Sequence, residues 1–252
     1  MAFDSPDAYD RFMGRWSSPL ADAAVAALDP SPGTRVLDVG CGPGALTTRL
    51  VARVGAAAVT AVDPSPRFVA ALAERLPGVA TATAAAESLP FADASYDLVV
   101  AQLVVHFMAD PLAGLREMAR VVRPGGRVAV SVWDHLRSPI DPFWTAAQPS
   151  DLADVDLARP GVRAGSLAEL VRAAGLEPQV DADLVVECRF ATFEEWWEPF
   201  TMGVGPAGDH VTALSPQERD ALRDACESLL PPAPFTLQAA AWWVVAERPG
   251  AG

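Results

Sequence analysis

The chain is short of the residues that several common functions demand. Its 252 residues carry 19 Lys and Arg against 32 Asp and Glu, a net charge of −13. Such a surface repels a phosphate backbone, whose binding depends on basic side chains that neutralise phosphates, so nucleic acid is not an expected partner. The three cysteines, Cys41, Cys188 and Cys226, are odd in number and scattered. With no CxxC pair or His-spaced cluster among them, neither a metal site nor a disulfide frame is expected, and a reducing cytoplasmic setting fits best. No stretch approaches the ~18 apolar residues of a membrane span. The start, Met1-Ala2-Phe3-Asp4, lacks the basic residues and apolar core of a secretory signal, so a soluble, unprocessed protein is expected. A chain of this length can bury a full core as one domain, monomeric or homodimeric.

What is present is a run, Val36-Leu37-Asp38-Val39-Gly40-Cys41-Gly42-Pro43-Gly44, that joins a buried strand pattern to a glycine loop. The three glycines permit positive φ and remove side chains that would hold a ligand away from the backbone. Asp38 falls at the strand's end, where α/β folds place ligands. A second acid, Asp63, closes the strand pattern Val59 to Val62, 19 residues after Gly44, a spacing suited to the two hydroxyls of a ribose. A nucleoside-bearing cofactor follows. A dinucleotide fingerprint would need G-x-G-x-x-G, whereas this loop reads G-x-G-x-G, with the third glycine one residue early.

The stretch D-V-G-C-G-P-G, with Val62-Asp63-Pro64-Ser65 after it, resembles the first two motifs of class I S-adenosylmethionine-dependent methyltransferases. The resemblance continues through Ala86-Glu87-Ser88-Leu89-Pro90-Phe91, Tyr96-Asp97-Leu98-Val99-Val100 and Arg123-Pro124-Gly125-Gly126. It implies S-adenosyl-L-methionine as cofactor, held by Asp38, Gly40, Cys41, Gly42, Gly44, Asp63, Pro64, Ala86, Glu87, Ser88, Gln102 and Leu103. The arm up to Ser18, with Tyr9, Phe12, Arg15 and Trp16, is similar to the start of small-molecule methyltransferases, the quinone-modifying type included. Arg15 is the candidate to grip the cofactor's carboxylate, because a guanidinium can hold it through two bonds.

Alternating helix and strand patterns predict an α/β fold. Helices are expected at 19–28, 46–54, 66–76, 111–122 (capped by Asp110) and 166–174, the last with Ser166 and Glu169 as a capping box. Strands are expected at 35–39, 59–62, 79–84, 97–101, 127–133 and 180–190. The resemblance implies a Rossmann-like, seven-stranded, mostly parallel sheet with helices on both faces and an antiparallel last strand, here 236–247. Residues 191–234 then form a helical insertion, and its Gly203 to Gly208 run reads as the hinge of a lid.

Methyl transfer needs alignment and exclusion of water more than reactive side chains. The arm, the segment 134–165 and the insertion carry Phe143, Trp144, Phe193, Trp196, Trp197 and Phe200, rings that suit an apolar or aromatic acceptor or simply pack the insertion. His106, His135 and His210 are the candidate proton acceptors, with Asp134 placed to polarise His135. The Asn/Asp-Pro-Pro-Tyr signature of exocyclic-amine methylation is absent. An oxygen, carbon or nitrogen atom of a small metabolite is the expected acceptor. The alternative is the same fold used as a scaffold for ligand binding or a reaction without transfer.

Overall fold

The computed structural model describes residues 6–147, 159–203 and 205–250, with side chains described from Met13 onward. Apolar runs build the centre: β1 (Val36–Val39), β2 (Val59–Asp63), β3 (Ala80–Thr83), β4 (Tyr96–Gln102) and β5 (Val122–Trp133). All four residues of β1 are buried, as a strand covered on both faces requires. The sheet order is β3-β2-β1-β4-β5-β7-β6. Strands β1 to β5 pair in parallel, and β7 (Phe235–Glu247) runs antiparallel between β5 and β6 (Glu177–Phe190). This is the Rossmann-like seven-stranded sheet expected from the sequence. Chain order reverses between β1 and β4, which opens a crevice at their C-terminal ends.

Three apolar clusters order the layers. Helices α1 (Pro6–Leu28), α2 (Ala45–Val54) and α3 (Pro66–Arg75) bury Leu28, Leu50 and Leu72 on one face. Helices α4 (Pro111–Val121) and α6 (Ser166–Ala173) bury Leu115, Met118 and Leu167 on the other. The third cluster gathers the front of α1, α5 (Asp141–Ala147), β6 and the insertion, which folds as α7 (Phe193–Trp197), the turn Glu198–Met202, α8 (Gly205–Ala213) and α9 (Pro216–Leu229).

Several expectations are corrected. Helix α1 runs straight through Pro19 rather than starting there. A proline removes the N–H that would bond the carbonyl four residues back, here that of Arg15. The Cys188 thiol on β6 donates to that carbonyl at 3.2 Å, and Gln102 Nε2 donates to the Ser17 carbonyl at 3.0 Å, so tertiary bonds take over at the interruption. The Pro124-Gly125-Gly126 turn lies inside β5: pairing steps from Tyr96–Val122 to Leu98–Arg127, and the turn bulges between them. Ser166 caps nothing, since Gly165 holds the cap position and Ser166 Oγ donates back to Arg163 O at 2.7 Å. The capping box sits at α9 instead, where Ser215 and Glu218 bond each other's backbone N–H.

The Gly203 to Gly208 run is also not an open turn. Gly205 begins α8, and a Cβ on Gly208 would lie 2.7 Å from the Gly203 backbone, so glycine there serves close packing. Val204, residues 148–158 and the side chains of Tyr9 and Phe12 lie outside the described residues.

Candidate cofactor and acceptor site

The glycine loop is tied to β2 before any ligand is considered. Gly40 and Cys41 donate their N–H groups to Val62 O at 2.8 and 2.9 Å. Gly42 N donates to Asp63 Oδ2 at 2.9 Å, and Ser65 N to Asp63 Oδ1 at 2.8 Å. The glycines do not all make room for a ligand. At Gly40 (φ +71°) a Cβ would meet Val104 Cγ2 at 2.4 Å, and at Gly44 one would meet Leu72 Cδ1 at 2.3 Å, so these two serve packing. Gly42 (φ +52°) has nothing within 4 Å of an added Cβ: its side faces open space.

Burial governs the two acids. Asp38 is 1 % exposed, and desolvation pushes its carboxyl up to about 7, with Thr47 Oγ1 donating at 2.6 Å and Asp63 adding repulsion. Burial also raises Asp63, against the pull of its two N–H donors. The Cys41 thiol is pushed far above its ordinary value by burial and stays protonated. Thr47 was missed in the sequence reading. Its signal was a polar residue on the α2 face that also carries Leu50 and Val54, which pointed to a buried partner.

Ser17, Asp38, Gly40, Gly42, Gln102 and Leu103 line a cleft of about 30 Å³, room for roughly one water and well short of the ~300 Å³ where ligand pockets begin. Helix α1 closes it. Gln102 Oε1 and Ser17 Oγ are buried there without a hydrogen-bond partner among the described residues. Leu103 is held at φ +61°, a strained setting for a branched side chain, with its N–H on Ser131 O at 2.9 Å. Orphaned polar atoms, an open glycine and a paired acid fit a polar nucleoside ligand.

Other candidates sit elsewhere. Arg15, the candidate for the cofactor's carboxylate, faces Glu195 at 3.5 Å and lies 5.8 Å over the Phe190 ring. Glu87 Oε1 accepts from the N–H groups of Ala109 (2.8 Å) and Asp110 (3.2 Å), while Ala86 is buried and Ser88 and Pro64 are exposed. Arg75, also missed, donates to Pro43 O at 2.7 Å and braces the loop.

The histidines separate. His106 is buried, its Nδ1 has no hydrogen-bond partner among the described residues, and desolvation with the charges of His135 and Arg159 lowers its pKa to about 3. Its ring lies 6.3 Å from that of His135. Asp134 does not serve His135 as expected: it accepts from Leu136 N at 3.0 Å and pairs with Arg137 at 2.6 Å. His210, on α8, packs against Phe143 and Trp144 at 6.0 and 6.3 Å. The aromatic residues pack against one another: Phe143 stacks on Phe200 at 4.7 Å, and Trp196 Nε1 bonds Pro139 O at 3.1 Å.

The sheet order, the glycine loop and its paired acid are those of the class I methyltransferase fold, and residues 37–130 match the family described as methyltransferase domain. The chain carries a domain of that family. Over 131 residues it is 37 % identical to trans-aconitate 2-methyltransferase of Methylobacterium nodulans, covering 52 % of this chain and 50 % of that one. Over 124 residues it is 38 % identical to demethylmenaquinone methyltransferase of Tropheryma whipplei, covering 48 % and 51 %. The chain thus spans about half the length of these relatives. The solved [4+2]-cyclase SpnF superposes with a TM-score of 0.60 at 21 % identity over 93 % of this chain and 81 % of that one, a likeness of fold. Among the described residues no helix is long and apolar enough to cross a membrane, and no group of three or more metal-ligand types converges.

Proposed function

We propose that this chain binds S-adenosyl-L-methionine at the crevice between β1 and β4 and transfers its methyl group to a small-molecule acceptor. The carrying observation is Asp63, whose carboxylate is fixed by Gly42 N and Ser65 N beside the open face of Gly42. The cofactor supplies an electrophilic methyl on a sulfonium. The chain's own part is to hold and shield. Asp63 would take the ribose hydroxyls, Gln102 and Ser17 the polar end, and the backbone at 86–88 the base edge. The closed cleft requires the front of α1 to lift, so that the arm together with residues 191–234 acts as the cover over bound ligand.

The test is calorimetric titration with S-adenosylmethionine and S-adenosylhomocysteine, followed by incubation with methyl-labelled cofactor. Asp63→Ala is expected to lose ~1.5 to 3 kcal/mol, roughly tenfold to over a hundredfold in affinity. Unchanged affinity refutes the assignment. A scaffold role without transfer is the second reading, favoured by the buried, mutually packed rings of the aromatic cluster. Tight binding with label in no acceptor would select it.

A further inference from the structure

The connection from β3 to β4 is the one crossover among β1 to β5 that builds no helix of its own. Residues 84–95 are irregular, yet they leave the sheet beside Asp63, whose carbonyl accepts from Ala84 N at 3.2 Å. Helix α4 supplies the order this segment does not make for itself. Just ahead of the helix, the N–H groups of Ala109 and Asp110 donate to Glu87 Oε1 at 2.8 and 3.2 Å. In its middle Gly114 lets the helix come close, since a Cβ there would lie 3.3 Å from Ala86 Cβ. Towards its end the Arg120 guanidinium commits every nitrogen. Nε and Nη2 hold Glu117 at 2.7 and 2.8 Å, Nη1 donates to Phe91 O at 2.8 Å and Asp93 Oδ1 at 2.7 Å, and Nη2 also donates to Leu89 O at 3.1 Å. Glu117 Oε2 accepts from Leu89 N at 3.0 Å, and the Arg120 carbonyl from Ala94 N at 3.0 Å.

Both side chains of the pair are partly exposed, 31 % for Arg120 and 23 % for Glu117, so water screens their attraction and its share of stability is small. What the planar fork supplies is geometry: it fixes three acceptors of the segment relative to one rigid helix. The Glu87 side chain is turned to α4, which leaves the backbone at 86–88 to meet a base. Backbone N–H and C=O groups are donors and acceptors at set spacing. Adenine answers such a frame with an acceptor at N1 and a donor amino group at position 6; hypoxanthine presents the reverse, a donor at N1 and an oxygen at position 6. A frame that can slip re-pairs with either, and a frame that is held rejects one.

We infer that Glu117 and Arg120 are positioning residues for the base: through residues 84–94 they hold the backbone at 86–88 in register and so set the choice between a 6-amino and a 6-oxo purine. The inference rests on the cofactor reading above. Neither side chain touches the cofactor, and the selectivity comes from what they prevent the segment from doing.

The full chain would be titrated calorimetrically with S-adenosylhomocysteine and with S-inosylhomocysteine, which share the ribose and the amino-acid end and differ at the base. The parent should prefer the adenine ligand by at least about a hundredfold, as a site built on paired hydrogen bonds does. In Glu117→Gln and in Arg120→Lys that ratio should fall at least about tenfold, because each breaks the two-bond grip. Trp196→Ala, which removes packing far from the segment, should keep the parent's ratio. A parent that binds both ligands alike, an unchanged ratio in either α4 variant, or an equal fall in Trp196→Ala overturns this inference and leaves the transferase reading standing. A parent that binds neither ligand overturns both.

Discussion

The half of the molecule built on β1, β2 and β4 and the half built on β6, β7 and the insertion reach burial by opposite routes. In the first, short apolar strands end in polar groups tied by hydrogen bonds to the loops and helix beside them: Asp38 with Thr47, Asp63 with Gly42 and Ser65. In the second, rings interlock with almost no polar content: Phe143 on Phe200, Phe190 on Phe235, Trp196 edge-on to Phe200. The polar half is organised to meet a ligand, and the aromatic half to hold a shape. The front of α1 joins them, since Ser17 closes the polar cleft while Trp16 sits in the aromatic cluster.

The strongest way to break that division is Trp196→Ala. Trp196 is 1 % exposed and its indole N–H bonds Pro139 O, so truncation leaves a large cavity and an unpaired carbonyl. A loss of ~3 to 5 kcal/mol by denaturant unfolding is expected. Affinity for S-adenosylhomocysteine in the protein that remains folded should stay within about threefold, since the change touches only the aromatic half. A collapse of affinity would show that the halves are one unit.

A smaller effect sharpens the polar half. The Asp38 carboxyl is raised from 3.8 to about 7, so between those values the folded chain keeps a proton that the unfolded chain has released. Stability is then full at the acid end and falls as pH rises towards 7, because the native state binds more protons than the unfolded one. Asp38→Asn can still accept from Thr47 and does not titrate. Thermal midpoints compared from pH 5 to 8 should show the parent chain declining relative to the variant. A constant difference would mean that the buried carboxyl is ionised throughout.

The same division marks what the sequence discloses. The glycine loop, the Asp110 cap and the strand segments were legible because each follows from neighbours in sequence: a positive φ, a cap, an apolar period. What was misread depends on partners that pattern cannot supply. Pro19 is tolerated because Cys188 covers the carbonyl it orphans, and Asp134 turns to Arg137 instead of its neighbour His135. Thr47 was in view as a polar residue on an apolar face, but its meaning required Asp38 opposite. The aromatic residues of 191–200 suggested a pocket because composition does not distinguish a ring that waits for a ligand from one already packed.

The smallest expected effect is at His106, and it bears on the chemistry most directly. With its pKa lowered to about 3 by burial the imidazole is neutral at physiological pH, a poor match for the proton of a phenol of pKa ~10. General base catalysis is worth ~10² to 10⁴ where a base is well matched, which this group is not. Turnover of His106→Gln at saturating cofactor should therefore fall by less than about tenfold, with any larger change appearing in thermal stability because the side chain is buried. Loss of a hundredfold or more in kcat at unchanged stability would restore His106 as a proton acceptor. It would also require an acceptor group that arrives protonated.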